Sequence, residues 1–213
     1  ISQSKLYFID IPNAKQSQIQ IGYLGLRTSD RDYFPVQVMN MKLGGNFSGH
    51  VNLVLREEKG YTYGVSTALA LFRVAGYWKV QTSIQADKTG EVVIELMSEM
   101  ERLAGDYPVT SEELEEARTG RIRGYAQQFE SLRRIADSIG GLWSSDKPMK
   151  DIRESVKYLE AVTLDEVRTA AQQHLQVERA GYLLVGDKSD IISQLTDRGL
   201  GPVEVLDPQI MPL

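Results

Sequence analysis

"LGGNFSGHVNLVLREEKGYTYGV", residues 43–65, opens on a glycine pair, runs through a helical period, and leaves on Arg-Glu-Glu-Lys and two tyrosines. Ser48 is a good N-cap and Gly60 a good residue just past a helix end, which predicts a helix from about Ser48 to Lys59. The glycines do not spell a phosphate cradle. A P-loop carries Lys and then Ser or Thr directly after its last glycine, where this chain has His50 and Val51. The dinucleotide fingerprint fails as well, since no G-x-G-x-x-G follows a predicted strand. The stretch reads instead as a flexible, side-chain-poor loop, where backbone can approach another chain closely, leading into a helix-to-strand corner.

Outward from this stretch the pattern is mixed. "KLYFIDI" (5–11) reads as a strand closed by Pro12, and in "QIQIGYLGL" (18–26) Ile19, Ile21 and Tyr23 alternate with Gln18, Gln20 and Gly22. "DYFPVQVMNMKL" (32–43) has a helical period, with Pro35 in the first turn, where its missing N–H costs nothing. Downstream, strands are predicted over 62–72 and 76–86, joined near "RVAG". In the second, Trp78, Val80, Thr82 and Ile84 face one way and Lys79, Gln81 and Ser83 the other.

The next hundred residues are mainly helical. Val92, Val93, Leu96, Met100 and Leu103 form one apolar stripe. Thr110 with Glu113 and Thr163 with Glu166 are capping boxes, and "SLRRIADSIGGLW" and "MKDIRESVKYLEAV" are helical between them. "RAGYLLVGD" (179–187) reads as a buried strand and "GPVEVLDP" as a short closing one. Early strands in antiparallel-looking pairs, late helices and no Ser- or Pro-rich linker predict one domain over 1–213. Its expected class is α+β, a two-layer sandwich of a mainly antiparallel sheet with helices packed on one face.

Bulk properties exclude several functions. The 213 residues, 42% hydrophobic and 25% charged, suit an ordinary globular domain. A net charge of −5 is the wrong sign for a general nucleic-acid surface. No apolar run approaches the ~20 residues of a membrane span, and no signal peptide is visible. With 0 cysteines there is no disulfide framework, thiolate metal site or cysteine nucleophile. Ile1 in place of methionine suggests a piece of a longer polypeptide. The 2 histidines, His50 and His174, are far apart, and His174 reads as a helix C-terminal dipole partner. Glu112, Glu113, Glu115 and Glu116 read as a solvated first turn, and arginines 118, 121, 123, 133 and 134 as a solvated face. No self-sufficient active site is legible.

The pattern LGG-F-(nine residues)-EEKGYTYGV, preceded by "QSQIQIGYLGLRTSDRDYFPVQVMNMKLGG", resembles the non-catalytic half-domain of the pitrilysin/insulinase zinc peptidases. That group includes the mitochondrial processing peptidases and their bacterial relatives. The likeness runs over nearly the whole chain and is most specific at Leu43–Val65. In this family a catalytic domain carries an inverted H-x-x-E-H zinc motif on the helix after its second strand. Laid over "FPVQVMNMKLGG", the motif falls on Val36, Met39 and Asn40: two apolar residues and a weak ligand. The resemblance therefore implies no metal in this chain, and zinc in a partner domain or subunit bearing H-x-x-E-H.

It further implies an Arg and a Tyr seven residues apart, here Arg56 and Tyr63, as the catalytic contribution. A guanidinium and a phenol at a helix-to-strand corner can both donate to a substrate carbonyl that gains negative charge. An Arg that caps helix carbonyls and a Tyr that packs in the sheet is the structural alternative. Tyr61 would share the strand face with Tyr63, so the resemblance alone selects Tyr63. An extended peptide is the implied substrate, held near Gly44, Gly45, Asn46, Phe47 and Tyr61 or added at a sheet edge. Relatives usually carry a Ser-Arg-Leu type sequence after the glycines. Gly49-His50-Val51 departs from it and leaves the role of His50 open, although no carboxylate or second His in the sequence marks it as a zinc ligand. Two other readings stand beside this one: a catalytically dead assembly or scaffold subunit of the same fold, and a small-ligand module using the glycine loop.

Overall fold

Alternation along the strands decides which side of the sheet is buried. In β2 (Gln16–Gly25), Ser17, Ile19 and Ile21 are buried and Gln16, Gln18 and Gln20 exposed. In β4 (Gly76–Gln85), Trp78, Val80, Thr82 and Ile84 are buried, the set expected from the sequence. The computed structural model describes residues 4–27, 30–70 and 75–207. The other strands are β1 (Lys5–Asp10), β3 (Val65–Ala70), β5 (Gly181–Gly186) and β6 (Val203–Leu206). All belong to one mixed sheet in the order β3–β4–β2–β5–β1–β6. The β3–β4, β4–β2 and β2–β5 ladders are antiparallel, whereas β1 runs parallel to both β5 and β6. The antiparallel pairing of early strands thus holds for β3 with β4, while β5 comes between β1 and β2. Parallel neighbours need long crossovers, and the helical half of the chain provides them.

The helices are α1 (Tyr33–Asn40), α2 (His50–Asn52), α3 (Thr89–Ala104), α4 (Ser111–Ala126), α5 (Leu132–Ser144), α6 (Asp151–Ala161), α7 (Leu164–His174) and α8 (Lys188–Thr196). α1 continues as a π-helical stretch over Met41–Gly45, and α2 as one over Leu53–Glu58. Both capping boxes form. Glu113 N–H donates to Thr110 Oγ1 at 3.2 Å and Thr110 N–H to Glu113 Oε2 at 3.0 Å, and Thr163 and Glu166 repeat the exchange. The predicted stripe of α3 is buried whole and meets Ile19, Ile21, Val80, Ile84 and Leu184 of the sheet, with Val36 and Met39 of α1, in one core. The outer side of the sheet carries Gln18, Gln20, Gln81 and Ser83, with Gln18 donating to Ser83 across the β2–β4 ladder at 2.6 Å. This is the α+β sandwich with helices on one face.

Three local expectations change. The helix after the glycines starts at His50 with Gly49 as its N-cap, and the Ser48 hydroxyl donates instead to Asn46 Oδ1 at 3.0 Å. β3 begins at Val65, so residues 61–64 form a bend and not strand. α8, not expected from the sequence, is capped by Asp187 and buries Ile191 and Leu195. Residues 71–74, which hold the end of the predicted 62–72 strand and the first half of the "RVAG" join, lie outside the described residues, as do Ile1 and Pro208.

Candidate functional site

The glycine loop closes on itself. Gly44 is buried, and a Cβ there would fall 2.5 Å from Val51 Cγ2 and 2.8 Å from Thr67 Cγ2; one on Gly49 would fall 2.7 Å from Gly44 Cα. Only glycine permits these approaches. Gly49 N–H donates to Asn46 O at 3.2 Å, which makes the loop a tight turn and not the flexible segment expected. Gly45 is exposed, Asn46 is half-buried, and Phe47 projects with 69% of its surface free.

Asn52 fixes the turn to the sheet. Its buried amide donates to Asn46 O at 2.9 Å and to Val65 O at 2.8 Å, and accepts from Val65 N–H at 2.7 Å. Sequence reasoning missed this residue. The signal was an amide set among the buried residues Val51 and Leu55, an arrangement that needs a partner. Asn52→Ala leaves a buried N–H without its acceptor and should destabilise the domain by about 1–3 kcal/mol in urea unfolding. An unchanged midpoint would show that the staple contributes nothing.

Arg56 lies over the Phe47 ring, and the bend that carries Tyr63 comes close to the same ring. The Arg56 guanidinium stands 4.8 Å from the ring centroid and 3.2 Å from the Glu57 carboxylate. A Cβ on Gly64, the residue after Tyr63, would lie 3.6 Å from Phe47 Cε1. Tyr63 is 93% exposed at the tip of the bend, yet its neighbours are pinned. Thr62 Oγ1 accepts from Gly64 N–H at 3.1 Å and lies 2.9 Å from both Thr82 Oγ1 and the Ser83 carbonyl, while Thr82 donates to Gly64 O at 3.0 Å. Tyr61 goes elsewhere: its hydroxyl donates to Glu91 Oε1 at 3.0 Å, and Lys59 and Lys88 flank its ring. Because neither tyrosine is in a strand, alternation does not govern them, and the bend separates an anchored Tyr61 from a free Tyr63.

The two histidines are structural ties. His50 Nε2 lies 2.8 Å from Glu113 Oε1 and its Nδ1 4.0 Å from the buried Glu99, which Arg102 also contacts at 2.8 Å. Lys42 reaches Glu116 at 3.2 Å and Glu113 at 3.7 Å. Burial would raise the Glu113 carboxyl, but the His50 hydrogen bond, the Thr110 N–H and nearby charge hold it below its ordinary range. Glu113 is therefore part of a network joining α2 to α3 and α4, and not a solvated acid. His174, in the last turn of α7, lies 3.1 Å from Asp32.

The zinc-motif positions hold something else. Val36 and Met39 are core residues, and Asn40 accepts from Trp78 Nε1 at 2.8 Å and donates to Thr67 O at 3.3 Å. Two are apolar and the third is committed to both β3 and β4, so these residues do not fit zinc. Among the described residues, no cluster of three or more His, Cys, Asp or Glu side chains is arranged to hold a metal.

A family model described as the peptidase M16 inactive domain matches residues 2–121. A Mycobacterium tuberculosis (strain H37Rv) protein named an uncharacterized zinc protease is 25% identical over 177 residues, covering 82% of this chain and 39% of the relative. A Streptomyces coelicolor protein of the same description is 24% identical over 180 residues, covering 83% and 38%. The chain thus spans about two fifths of the length of the curated relatives it matches. The crystal structure of a peptidase M16 inactive domain from Pseudomonas fluorescens superposes with a TM-score of 0.76 at 22% identity, over 86% of this chain and 44% of that one. A protease from Helicobacter pylori gives the same TM-score of 0.76 and the same coverage at 11% identity.

Proposed function

The chain belongs to the peptidase M16 inactive-domain family, and from that premise we propose that it is the non-catalytic partner domain of a zinc metalloendopeptidase. In this reading the metal belongs to a separate domain or subunit with the H-x-x-E-H motif, and this chain helps to hold an extended peptide. The Arg56 guanidinium and the Tyr63 hydroxyl donate to the carbonyl that becomes an oxyanion in the transition state. Phe47 keeps Arg56 extended without neutralising it, and the exposed pair with Glu57 is weak enough to yield to substrate. The observation that carries the reading is the pair's placement. Arg56 lies over Phe47 and Tyr63 stands on the bend that passes beside that ring, at a corner held by Asn52 and Thr62, and neither is buried as a structural tie.

A partner is also supported by the surface. No residue of α5 is buried, and Leu132 (87% exposed), Ile139 and Trp143 (79%) lie along it at spacings of seven and four, an apolar stripe at helical period. The same stripe favours a second reading, an assembly or scaffold subunit without catalysis. Among the described residues no helix is long and apolar enough to cross a membrane.

Combining the chain with the H-x-x-E-H domain encoded in the same or a neighbouring gene tests the proposal directly. Peptide cleavage should require both parts. If the assembled pair forms and leaves every peptide intact, the scaffold reading takes over. The isolated chain should hold far less than one equivalent of zinc after desalting, as Val36, Met39 and Asn40 dictate. A full molar equivalent by metal analysis would overturn the assignment of the metal to the partner.

A further inference from the structure

Arg121 departs from the solvated face expected of its neighbours. The Arg133 side chain is almost fully exposed, but Arg121 turns inward, toward a half-open cavity of about 240 Å³ lined by α1, α4, α5, α6 and the loop after α5. Tyr33, Phe34, Gln37, Arg121, Tyr125 and Lys147 supply its aromatic and polar wall, with Leu142, Ile152 and Leu159 as its apolar part. One guanidinium nitrogen donates to Gln37 Oε1, while Nε is buried with no hydrogen-bond partner among the described residues. Lys147 Nζ stands 3.5 Å from the Tyr33 ring centroid and 5.7 Å from that of Phe34.

Both cations pay for their position. Burial lowers the pKa of Arg121 and of Lys147, and Asp151, on the first turn of α6, offsets this only partly for Lys147. Among the described residues no carboxylate lines the cavity itself. Serines 138, 145 and 155 add polar but uncharged groups to the lining, so two partly buried cations on this cavity are costly unless an anion joins them. Inorganic anions would satisfy the charge but leave the aromatic and aliphatic wall unused.

We propose that this cavity binds a carboxylate carried on a small apolar body, the chemistry of an amino acid or of a peptide chain end. The carboxylate displaces the Gln37 amide, takes two parallel hydrogen bonds from the Nε edge of Arg121, and draws in the Lys147 ammonium. The apolar body packs against Phe34, Leu142 and Ile152.

Calorimetric titration of the folded chain with N-acetylleucine, its amide and inorganic phosphate tests this. N-acetylleucine should bind saturably, with the amide weaker by roughly tenfold or more, because a charge-assisted hydrogen bond is lost. Lys147→Met should weaken the acid by a similar factor while leaving the melting temperature near that of the parent. Arg121→Gln should do the same, and Lys147→Met carries the test if the arginine variant fails to fold. Leucine itself against N-acetylleucine then separates a free amino acid from a chain end as the source of the carboxylate. The site is refuted if acid and amide bind alike, if Lys147→Met keeps full affinity, if phosphate binds as tightly as N-acetylleucine, or if no carboxylate binds at millimolar concentration.

Discussion

Arg56→Ala and Tyr63→Phe, made singly in the assembled peptidase, should each lower kcat by roughly 10²–10³, the usual effect of removing one oxyanion donor. The expectation follows from where the groups sit. Tyr63 is 93% exposed on a pinned bend, so its hydroxyl is free to meet substrate and contributes nothing to packing. Arg56 makes an exposed pair with Glu57 and rests on Phe47, contacts that contribute about 0–1 kcal/mol each. Melting temperatures of both variants should therefore stay close to the parent's. Tyr61→Phe is the control with the opposite signature. It removes a hydrogen bond to Glu91, which should cost about 1 kcal/mol of stability and leave kcat alone. A crippling Tyr61→Phe beside a silent Tyr63→Phe would mean that the assignment to Tyr63 is two residues too late. If the Arg56 and Tyr63 variants merely unfold the domain, the pair is structural.

Rebuilding the zinc motif on α1, as Val36→His with Met39→Glu and Asn40→His, should yield an unfolded chain and not a metallopeptidase. Met39 is fully buried, so a glutamate there is a desolvated, unpaired carboxylate, a change in the rare class of ~4–5 kcal/mol or more. Asn40→His withdraws the acceptor of Trp78 Nε1 and the donor to Thr67 O, adding about 1–3 kcal/mol for a buried group left unsatisfied. Against a typical total stability of about 5–15 kcal/mol, the sum removes most of the margin. Circular dichroism with zinc analysis decides it. A folded triple variant holding one equivalent of zinc would mean that α1 can turn these positions outward.

What the sequence made legible is what local rules govern. The faces of β2 and β4, the stripe of α3 and both capping boxes follow from spacing alone, because each depends on residues within one element. Ser48 misled as a cap because the start of α2 is decided by the contact between Gly44 and Gly49, which local propensity does not register. The parallel placement of β1 depends on strands 176 and 197 residues later (Lys5 with Gly181, Leu6 with Val203), beyond any window of periodicity. Arg56 and Tyr63 were selected by resemblance, and their local alternation with Tyr61 was a poor guide because the bend begins before β3. Asn52, Thr62 and Arg121 act through partners on other elements, so their types stood in plain view and their roles did not.

The meeting of Gly44 and Gly49 has a consequence for how this surface can diversify. With the two ends of the turn already in contact, the span between them is independent of the distance from α1 to α2. Only Phe47 and Ser48 separate the Asn46 carbonyl from the Gly49 N–H that closes it. Extra residues inserted there would bulge outward from fixed stems, and doubling a loop's length adds only about 0.6 kcal/mol of closure entropy. Length and composition at this tip can therefore drift while the core stays as it is, and because Phe47 stands there, such drift changes what supports the Arg56 guanidinium.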